Sequence, residues 1–552
     1  MYSDKENINI LTALLLAHGV RHAVVCPGSR NAPITHNLCE AREMTCVSVT
    51  DERSAAFVAL GKAQALGEPV VVCVTSGSAL VNTLPAVVEA WYQHVPIIVV
   101  SADRPAAMIG QLQGQTMPQQ KTLEAFWAKE VSLPEPHDDV ERWYCNRLVN
   151  EALCAMKQYG GGPVHVNVPI SEPLFNFTTA ELPTERRVSL MDNHLWPSEL
   201  TEEFLVSSRP MLVVGQLQCT VARRVSGAIR RLEESVVVLS EQLATCGNAP
   251  CHFDEALIGI GEQEAYKPDY IIYIGDTLVS KRAKHFLQHC HPKSCVVINA
   301  SGKLTDVTMN VTDVVVCPVE DALDSLCEKL ESGDVALGNE ASAFRGRWAM
   351  ALDKWAIRCK VFEPAYSQMM AVRRLCEQTN GQECHMQFAN SSAVRLGQLY
   401  SSHHLYVNRG VNGIEGSLST AVGFASEKDV TVYCVIGDLS FFYDQNALWN
   451  GVGKRHLRMV VLNNGGGGIF HQLRGLEQSP YRDSFVSATH TASAKGVCEA
   501  TGVAYKAASN EEELAEGISW ITRGQATGPL LLEVFTNAEI DAREYKKYLE
   551  TK

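Results

Sequence analysis

The chain has 552 residues, of which 46% are hydrophobic and 20% are charged, and its formal net charge is −14. This length predicts two to four domains, each with its own core. The composition is typical of a soluble globular protein, and the acidic balance argues against nucleic acid as a partner.

The first residues predict a helix and not a targeting segment. The apolar run from Leu11 to Ala17 is short, and the acidic residues Asp4 and Glu6 precede it where a signal peptide would carry basic ones. No run reaches the length of a membrane span. We therefore expect a cytoplasmic protein.

The 18 cysteines are scattered, and many lie inside apolar runs. Cys246, Cys251 and His252, together with the segment 289–295, leave a zinc site open, but neither half has the usual C-x2-C spacing. Reduced thiols in the core are the favoured interpretation.

Short apolar runs followed by polar turns predict parallel strands in the first third of the chain. Ligands bind at the carboxyl ends of such strands, so these turns predict a ligand-binding sheet edge. The predicted strands are His22–Cys26, Val47–Thr50, Val70–Val74 and Pro96–Val100, with a closing strand within residues 160–169; the turns are 27–31, 51–53, 75–79 and 101–105.

Three charged residues of these turns have two interpretations each. Glu52 precedes an alanine-rich helix predicted over residues 54–65, so it is either an acid stabilised by the helix dipole or a catalytic group. Arg30 and Arg104 each follow a strand, where they are either solvated or placed to bind a carboxylate through paired hydrogen bonds. The polar segment 111–120 is predicted to be a loop that covers the site.

The middle of the chain predicts a second, smaller α/β domain. Residues 183–210 are polar and contain prolines, which is typical of a linker. Four strand-like runs follow within residues 211–335, without the G-x-G-x-x-G pattern of a nucleotide site. Lys281 and Arg282 come after the third run and either begin a solvated helix or reach into a site. Residues 336–365 are predicted to be a helical connection to the last domain.

The last third, residues 366–552, again places polar residues after predicted strands. Ser391, Arg395 and Arg409 lie there, and the apolar Ile414 stands in a glycine-rich turn. Six cationic side chains are therefore predicted at these strand ends: Arg30, Arg104, Lys281, Arg282, Arg395 and Arg409. Two anionic substrates, at least one of them a dicarboxylate, would account for this number.

Two strand ends in this third predict a metal site. One apolar run ends in Gly437-Asp438-Leu439-Ser440, and the next ends in Asn463-Asn464-Gly465-Gly466. A carboxylate, an amide oxygen and a backbone carbonyl are hard oxygen ligands, which Mg²⁺ prefers beside a phosphate-bearing ligand. The glycines allow the backbone to approach that ligand closely.

This pair of strand ends resembles the diphosphate–metal motif of thiamine diphosphate (ThDP) enzymes, although Leu439 stands where glycine is frequent. The resemblance implies that Asp438, Asn464 and the carbonyl of Gly466 bind Mg²⁺ or Mn²⁺. It also implies a glutamate that hydrogen-bonds the cofactor's pyrimidine ring and controls its tautomer, and Glu52 is the residue that fits.

A wider set of motifs resembles one family, the 2-succinyl-5-enolpyruvyl-6-hydroxy-3-cyclohexene-1-carboxylate (SEPHCHC) synthases (MenD) of menaquinone biosynthesis. The set includes Cys26-Pro-Gly-Ser-Arg30, Asp51-Glu-Arg-Ser-Ala-Ala56, Ala102-Asp-Arg-Pro105, Ser280-Lys-Arg282 and Asn408-Arg-Gly410. The resemblance implies three Rossmann-like α/β domains with parallel sheets: a pyrimidine-binding domain (1–182), a central domain (211–335) and a diphosphate-binding domain (366–552).

The resemblance also implies the reaction and its residues. The enzyme would decarboxylate 2-oxoglutarate and add the resulting succinyl semialdehyde carbanion to isochorismate in a 1,4-addition. Glu52, Ser391 and Arg395 would be catalytic. The implied cofactor contacts are Glu52, Thr75, Ser76, Gly77, Ile414, Gly437, Asp438, Leu439, Ser440, Asn464, Gly466 and Ile469. The implied substrate contacts are Ser29, Arg30, Arg104, Gln115, Lys281, Arg282, Ser391, Arg395, Arg409 and Phe470.

In this family the two domains that share a cofactor come from different subunits, so a homodimer or homotetramer is expected. The alternatives are another ThDP enzyme, such as a 2-oxoacid decarboxylase or an acetolactate synthase, and a non-catalytic protein of the same fold. The six cationic residues count against the first, and the presence of Glu52, Asp438 and Asn464 counts against the second.

Overall fold

Three β-sheets organise the protein in a computed structural model. The structure describes residues 1–122, 124–156, 161–188, 197–247, 249–299, 301, 305–333, 337–473, 475–523 and 527–550. Parts of three predictions lie outside these residues: position 160 before the closing strand, 189–196 of the linker, and 334–336 where the central domain meets the helical connection.

The strands of the described residues are numbered β1 to β17 and form an N-terminal, a central and a C-terminal sheet. The N-terminal sheet has the order β2-β1-β3-β4-β6-β5, the central sheet β11-β10-β9-β7-β8, and the C-terminal sheet β13-β12-β14-β15-β17-β16. The bounds are β1 His22–Val25, β2 Thr45–Ser48, β3 Val70–Val74, β4 Ile97–Asp103, β5 Lys129–Ser132, β6 Val164–Pro169, β7 Pro210–Val214, β8 Val237–Ser240, β9 Tyr270–Ile274, β10 Ser294–Ile298, β11 Asp313–Val315, β12 His385–Phe388, β13 Leu405–Tyr406, β14 Val432–Gly437, β15 Leu457–Asn463, β16 Ala504–Ala508 and β17 Leu530–Phe535.

Helices alternate with these strands, as crossovers between parallel strands require. Their bounds are α1 Glu6–Ala17, α2 Ala32–Glu40, α3 Glu52–Leu66, α4 Ser78–Asn82, α5 Leu84–Tyr92, α6 Asp139–Ala155, α7 Ser198–Val206, α8 Cys219–Glu233, α9 Phe253–Ile260, α10 Lys281–Gln288, α11 Val319–Ser332, α12 Asn339–Val361, α13 Gln368–Thr379, α14 Ser392–Tyr400, α15 Ser417–Ala425, α16 Asp438–Tyr443, α17 Lys495–Thr501, α18 Glu511–Arg523 and α19 Ala538–Leu549. None of the helices in the described part of the chain is both long and apolar enough to cross a membrane.

The sheets are parallel, and most residues of their inner strands are buried. β3 reads Val-Val-Val-Cys-Val, and all five residues are buried, which explains the uninterrupted apolar run. The predicted class of parallel-sheet α/β domains is confirmed. The edge strands β5 and β16 were not predicted because their residues are mixed and partly exposed.

The chain forms two compact units. The first comprises the described residues of 1–192, 410–429 and 443–457; the second comprises those of 193–409, 430–442 and 458–552. The N-terminal sheet belongs to the first unit, and the central and C-terminal sheets belong to the second, apart from the first residue of β15. Two late segments of the chain, 410–429 with α15 and 443–457, thus belong to the unit that holds the N-terminal sheet.

Glycines allow α15 to pack closely on α3 within the first unit. A Cβ atom built on Gly61 would lie 2.0 Å from the carbonyl oxygen of Thr420, and one on Gly423 would lie 2.1 Å from that of Val58. Each helix therefore presents a glycine to the backbone of the other. The contact matters for the site because Glu52 is the first residue of α3.

Substitution of Gly61 by alanine tests this contact. Gly61→Ala should lower the free energy of unfolding by about 2 kcal/mol or more, because the two backbones must separate to admit a methyl group. Gly227→Ala is the matched control, since Gly227 lies in α8 with no atom within 4 Å of its built Cβ, and there alanine should stabilise by about 1 kcal/mol. Urea denaturation measures both, and equal effects would contradict the close contact.

Candidate active site

The Asp438 carboxylate is held by the backbone of the next strand end in the C-terminal sheet. Its Oδ2 accepts hydrogen bonds from the N–H groups of Gly465 and Gly466, at 2.9 and 3.0 Å, and its Oδ1 accepts from the N–H of Leu439 at 2.7 Å. Asp438 follows β14 and the glycines follow β15, and these strands are neighbours. These hydrogen bonds connect the two polar turns, and together they are called here the Asp438 turn (437–440 and 464–466).

A second carboxylate fixes the orientation of Asn464. The side-chain amide nitrogen of Asn464 donates to Oδ2 of Asp541 at 3.0 Å, so Oδ1 is the end of the amide that remains as an acceptor. A Cβ at Gly468 would lie 2.3 Å from that nitrogen. Gly468 has no side chain, and this leaves room for the Asn464 amide beside it.

The Asp438 turn concentrates negative charge in a buried setting. Asp438 is 2% exposed, and burial raises its pKa, opposed by its N–H donors and by His490. Burial likewise raises the pKa of Asp541, and the Asp438 charge raises it further. Nε2 of His490 lies 3.4 Å from Oδ2 of Asp438. The donor set of carboxylate, amide oxygen and the Gly466 carbonyl fits a hard divalent cation.

Sequence reasoning missed His490 and Asp541, which both act on this turn. Each lies on a segment without a strand-end motif, and each is distant in sequence from the residue of the turn that it contacts. Ile469, a predicted cofactor contact, and Phe470, a predicted substrate contact, lie in a short 3-10 helix that begins at Gly468 and follows the turn.

Glu52 stands at the N-terminus of α3, in the first unit. Asp51 caps this helix by accepting from the N–H groups of Arg53 and Ser54, and its other oxygen accepts from the Asn446 side chain at 2.7 Å. The amide of Asn82 lies 3.4 Å from Oε2 of Glu52. Glu52 is therefore close to the positive end of the helix dipole. Its position is fixed because Asp51 binds both the first turn of α3 and the Asn446 side chain.

A buried network anchors the same helix end. Oγ of Ser54 bonds Oγ of Ser419 at 2.8 Å, and Ser419 donates from both its hydroxyl and its N–H to Asp444. Asp444 is fully buried, and burial raises its pKa to about 6. The network ties the beginning of α3 to α15 and to the segment after α16.

A buried carboxylate also fixes the turn that carries Ile414. The two oxygens of Glu89 accept from the N–H groups of Gly410 and Val411, at 2.8 and 2.9 Å, and burial raises the pKa of Glu89. Ile414 itself is 44% exposed. Ile414, a predicted cofactor contact, is thus an exposed apolar side chain of the first unit, and Glu89 holds the turn that carries it.

The turn after β3 meets the predicted covering loop. Gly77 has a positive φ of 82°, and its N–H donates to Oε1 of Gln119 at 2.7 Å. Gln119 is buried and also donates to the Ala102 carbonyl and the Asn167 side chain. Gln115, the predicted substrate contact, packs its backbone against Gly77. Sequence reasoning missed Gln119, which fixes this loop, because one glutamine among several in the loop gives no distinguishing signal.

Arg30 and Arg104 converge at the edge of the N-terminal sheet, as their places after β1 and β4 require. Arg30 is buried and donates to the Ile170 carbonyl and to Glu172, both at 3.1 Å. A guanidinium nitrogen of Arg104 lies 4.0 Å from the same oxygen of Glu172, whose side chain is largely exposed. Ser29 is exposed beside them. The two guanidinium groups share one carboxylate, which is the kind of group they are predicted to bind.

The predicted cationic residues of the second unit differ in their surroundings. Arg409 is buried and donates to Oδ1 of Asn390 at 3.1 Å. Arg282 pairs with Asp254, whereas Lys281 is exposed at the first position of α10. Ser391, the N-cap of α14, has a φ of 66°, a strained geometry of the kind found at functional sites.

Arg395 lines a cavity in which several carboxyl groups are buried. Glu241, Asp254, Glu255 and Tyr545 line the same cavity. Burial raises the pKa of Glu241 to about 7 and that of Glu255 to about 8. Arg395 therefore shares its cavity with two carboxyl groups whose ionisation is disfavoured by burial.

Comparison with known proteins identifies the class. The model of the thiamine pyrophosphate (thiamine diphosphate) enzyme N-terminal TPP binding domain matches residues 8–124, and that of the C-terminal TPP binding domain matches residues 389–534. These matches fall on the Glu52 and Asp438 regions. Fold and site therefore define a ThDP-dependent enzyme.

Relatives that align along the whole chain identify the family. The chain is 42% identical to the 2-succinyl-5-enolpyruvyl-6-hydroxy-3-cyclohexene-1-carboxylate synthase of Bacteroides thetaiotaomicron, with 99% of each chain covered. It is 41% identical to the synthase of Phocaeicola vulgatus, with 100% of each covered, and 31% identical to that of Porphyromonas gingivalis, with 99% and 97% covered. The chain belongs to the SEPHCHC synthase family, which confirms the resemblance found in the sequence.

Proposed function

We propose that this enzyme decarboxylates 2-oxoglutarate and adds the remaining four-carbon unit to isochorismate, forming SEPHCHC for menaquinone biosynthesis. The similarity to named synthases over the whole chain carries this proposal. The product name supports both substrates, because a succinyl group is 2-oxoglutarate without one carboxylate, and the enolpyruvyl-hydroxycyclohexene part is isochorismate.

In this proposal the Asp438 turn holds the diphosphate end of the cofactor through Mg²⁺ or Mn²⁺. Asp438, Asn464 and the Gly466 carbonyl would be the metal ligands, and their hard oxygens support that choice. Gly437, Leu439, Ser440 and Ile469 would contact the cofactor beside the metal. The pyrimidine end would lie against Glu52, Thr75, Ser76, Gly77 and Ile414.

When bound, ThDP supplies the nucleophilic carbon and the electron sink for decarboxylation. Glu52 would hold a proton on the ring nitrogen of the pyrimidine, and the capped end of α3 keeps that carboxyl group in place. Phe470 and Ile469 would exclude water beside the reacting carboxylate, which favours its loss as neutral CO₂.

Cationic side chains would bind the substrate carboxylates. Ser391, Arg395 and Arg409 are the proposed contacts for 2-oxoglutarate; Ser29, Arg30, Arg104, Gln115, Lys281 and Arg282 are those for isochorismate. The convergence of Arg30 and Arg104 on Glu172 supports a carboxylate site there. In the free enzyme Glu172 would occupy the place of the substrate carboxylate.

The domain boundaries given by the sequence remain part of the proposal: a pyrimidine-binding domain (1–182), a central domain (211–335) and a diphosphate-binding domain (366–552). We also propose a homodimer or homotetramer in which the Glu52 region of one subunit and the Asp438 turn of another share a cofactor. The 18 free thiols support a cytoplasmic location.

A substrate comparison tests the proposed reaction. With ThDP and Mg²⁺, the enzyme should release CO₂ from 2-oxoglutarate and form SEPHCHC only when isochorismate is present. Pyruvate should be a poor substrate, because it lacks the second carboxylate that the arginines would bind. Mass spectrometry of the products and a coupled CO₂ assay measure these rates, and turnover with pyruvate alone would favour an acetolactate synthase or a decarboxylase instead.

A single substitution tests the role of Glu52. Glu52→Gln should keep ThDP affinity near that of the unchanged enzyme but reduce turnover by about 100-fold or more, because the amide cannot supply the acid–base function. Glu68→Gln is the matched control, since Glu68 is an exposed glutamate just beyond the other end of α3. Calorimetry of ThDP binding and steady-state kinetics separate the two effects, and full activity of Glu52→Gln would refute the assignment.

A further inference from the structure

Two cysteines and a histidine meet in the second unit, outside the proposed active site. Cys219 is the first residue of α8, Cys246 follows β8, and His404 directly precedes β13. The two sulfur atoms and one ring nitrogen all lie within 4.8 Å of one another. Among the described residues, no other three histidine, cysteine or carboxylate side chains are grouped so closely.

The His404 ring is oriented as in metal sites. It is 8% exposed, and its Nδ1 lies 3.3 Å from the carbonyl oxygen of Thr245, to which it donates. Nε2 is then the nitrogen with a free lone pair. Histidines that bind metals are commonly fixed by such a bond from their other nitrogen. The Tyr406 ring packs edge-on against the imidazole, with centroids 4.9 Å apart, and restricts its rotation.

The chemistry of the cluster suits zinc. Cysteine binds metals as a thiolate and histidine binds them as a neutral imidazole, and each of the three residues offers one such ligand atom to the same point.

We propose that Cys219, Cys246 and His404 bind a zinc ion, with water as the fourth ligand. Two thiolates and one imidazole are a known zinc ligand set that leaves one position open. On binding, two Zn–S bonds and one Zn–N bond form, the hydrated ion releases all but one of its water ligands, and the protons of the cysteine thiols pass to the solvent. The site goes beyond the proposed reaction, because none of its residues belongs to the proposed cofactor or substrate contacts.

The position of the cluster indicates what zinc would do. The segment that His404 begins is already joined to the central sheet, since the N–H of Leu405 donates to the Gln242 carbonyl at 2.8 Å. The Gln216 side chain donates to the Val407 carbonyl at 3.2 Å. Zinc would add one more link between the segment that His404 begins and the central domain, and His404 lies four residues before Asn408 and five before Arg409.

Cys251 and His252, which the sequence suggested as partners of Cys246 in a zinc site, contact other groups in the structure. Cys251 donates its thiol hydrogen to the Val238 carbonyl at 3.7 Å, and Nδ1 of His252 faces Glu255 at 3.9 Å. Both are turned to other groups. The partners of Cys246 are distant in sequence, so spacing could not reveal them.

Cobalt substitution tests the site with a readout independent of activity. The full-length protein, reduced and stripped of metal, should bind one Co²⁺ per chain with the thiolate-to-cobalt charge-transfer band and the intense visible bands of tetrahedral coordination, and Zn²⁺ should displace it. Cys246→Ser and His404→Gln should each weaken binding by about tenfold or more. Cys384→Ser is the matched control, because Cys384 contacts His403 at 3.4 Å without a second thiol in the group. Spectra without a charge-transfer band, or equal losses in Cys384→Ser, would overturn the proposal.

A second measurement needs no variant and so does not depend on the folding of one. The unchanged protein is alkylated with and without bound Zn²⁺, and each cysteine is quantified by peptide mass spectrometry. Zinc should protect Cys219 and Cys246, whereas the exposed Cys39 should react equally in both samples. Equal labelling of Cys219 with and without zinc would refute the site while leaving the proposed reaction untouched.

Discussion

The hydrogen bonds from Gly465 and Gly466 to the Asp438 carboxylate are the constraint on which the proposed cofactor site depends. A buried carboxylate without partners would be costly. Here two backbone N–H groups satisfy one oxygen and a third satisfies the other. Gly466 has a φ of 155°, and a Cβ there would lie 2.7 Å from the Ser487 carbonyl. The glycines thus allow the turn to wrap around the aspartate and to present a carbonyl beside it.

Around Glu52, the surrounding contacts hold one glutamate at the N-terminal end of α3. Packing of α3 on α15 fixes the helix axis, and the bonds of Asp51 and Ser54 fix its first turn. Burying Asp444 raises its pKa, so its ionised form has a cost, but its two bonds to Ser419 recover part of that cost. These contacts come from the two late segments of the chain that belong to the first unit, 410–429 and 443–457.

Much of the fold and of the site could be predicted because both follow from local patterns. The buried strand β3 has the apolar run that was predicted, Val70–Val74, and a polar turn follows it. The edge strands β5 and β16 escaped because exposed strands lack that pattern. Family resemblance carried the assignment of Glu52, since a glutamate before a helix is equally well explained by the helix dipole.

The residues that sequence reasoning missed share a physical cause. His490, Asp541 and Gln119 act through contacts with residues distant in the chain, and a single polar residue in a loop has no periodicity or motif to mark it. Cys219 and His404 are the same case. Spacing rules find ligands that lie on one turn or one helix. The side chains of Cys219, Cys246 and His404 come from separate elements and meet only in the folded chain.

The central claim is that one cofactor is held by Glu52 from one subunit and by Asp438 from another. Co-expression of differently tagged Glu52→Gln and Asp438→Ala chains, followed by isolation of the mixed oligomer, tests it most directly. A mixed dimer would contain one site with both substitutions and one intact site, so activity should return although each parent is inactive. A mixed oligomer as inactive as its parents would show that both residues act within one chain and would contradict the account.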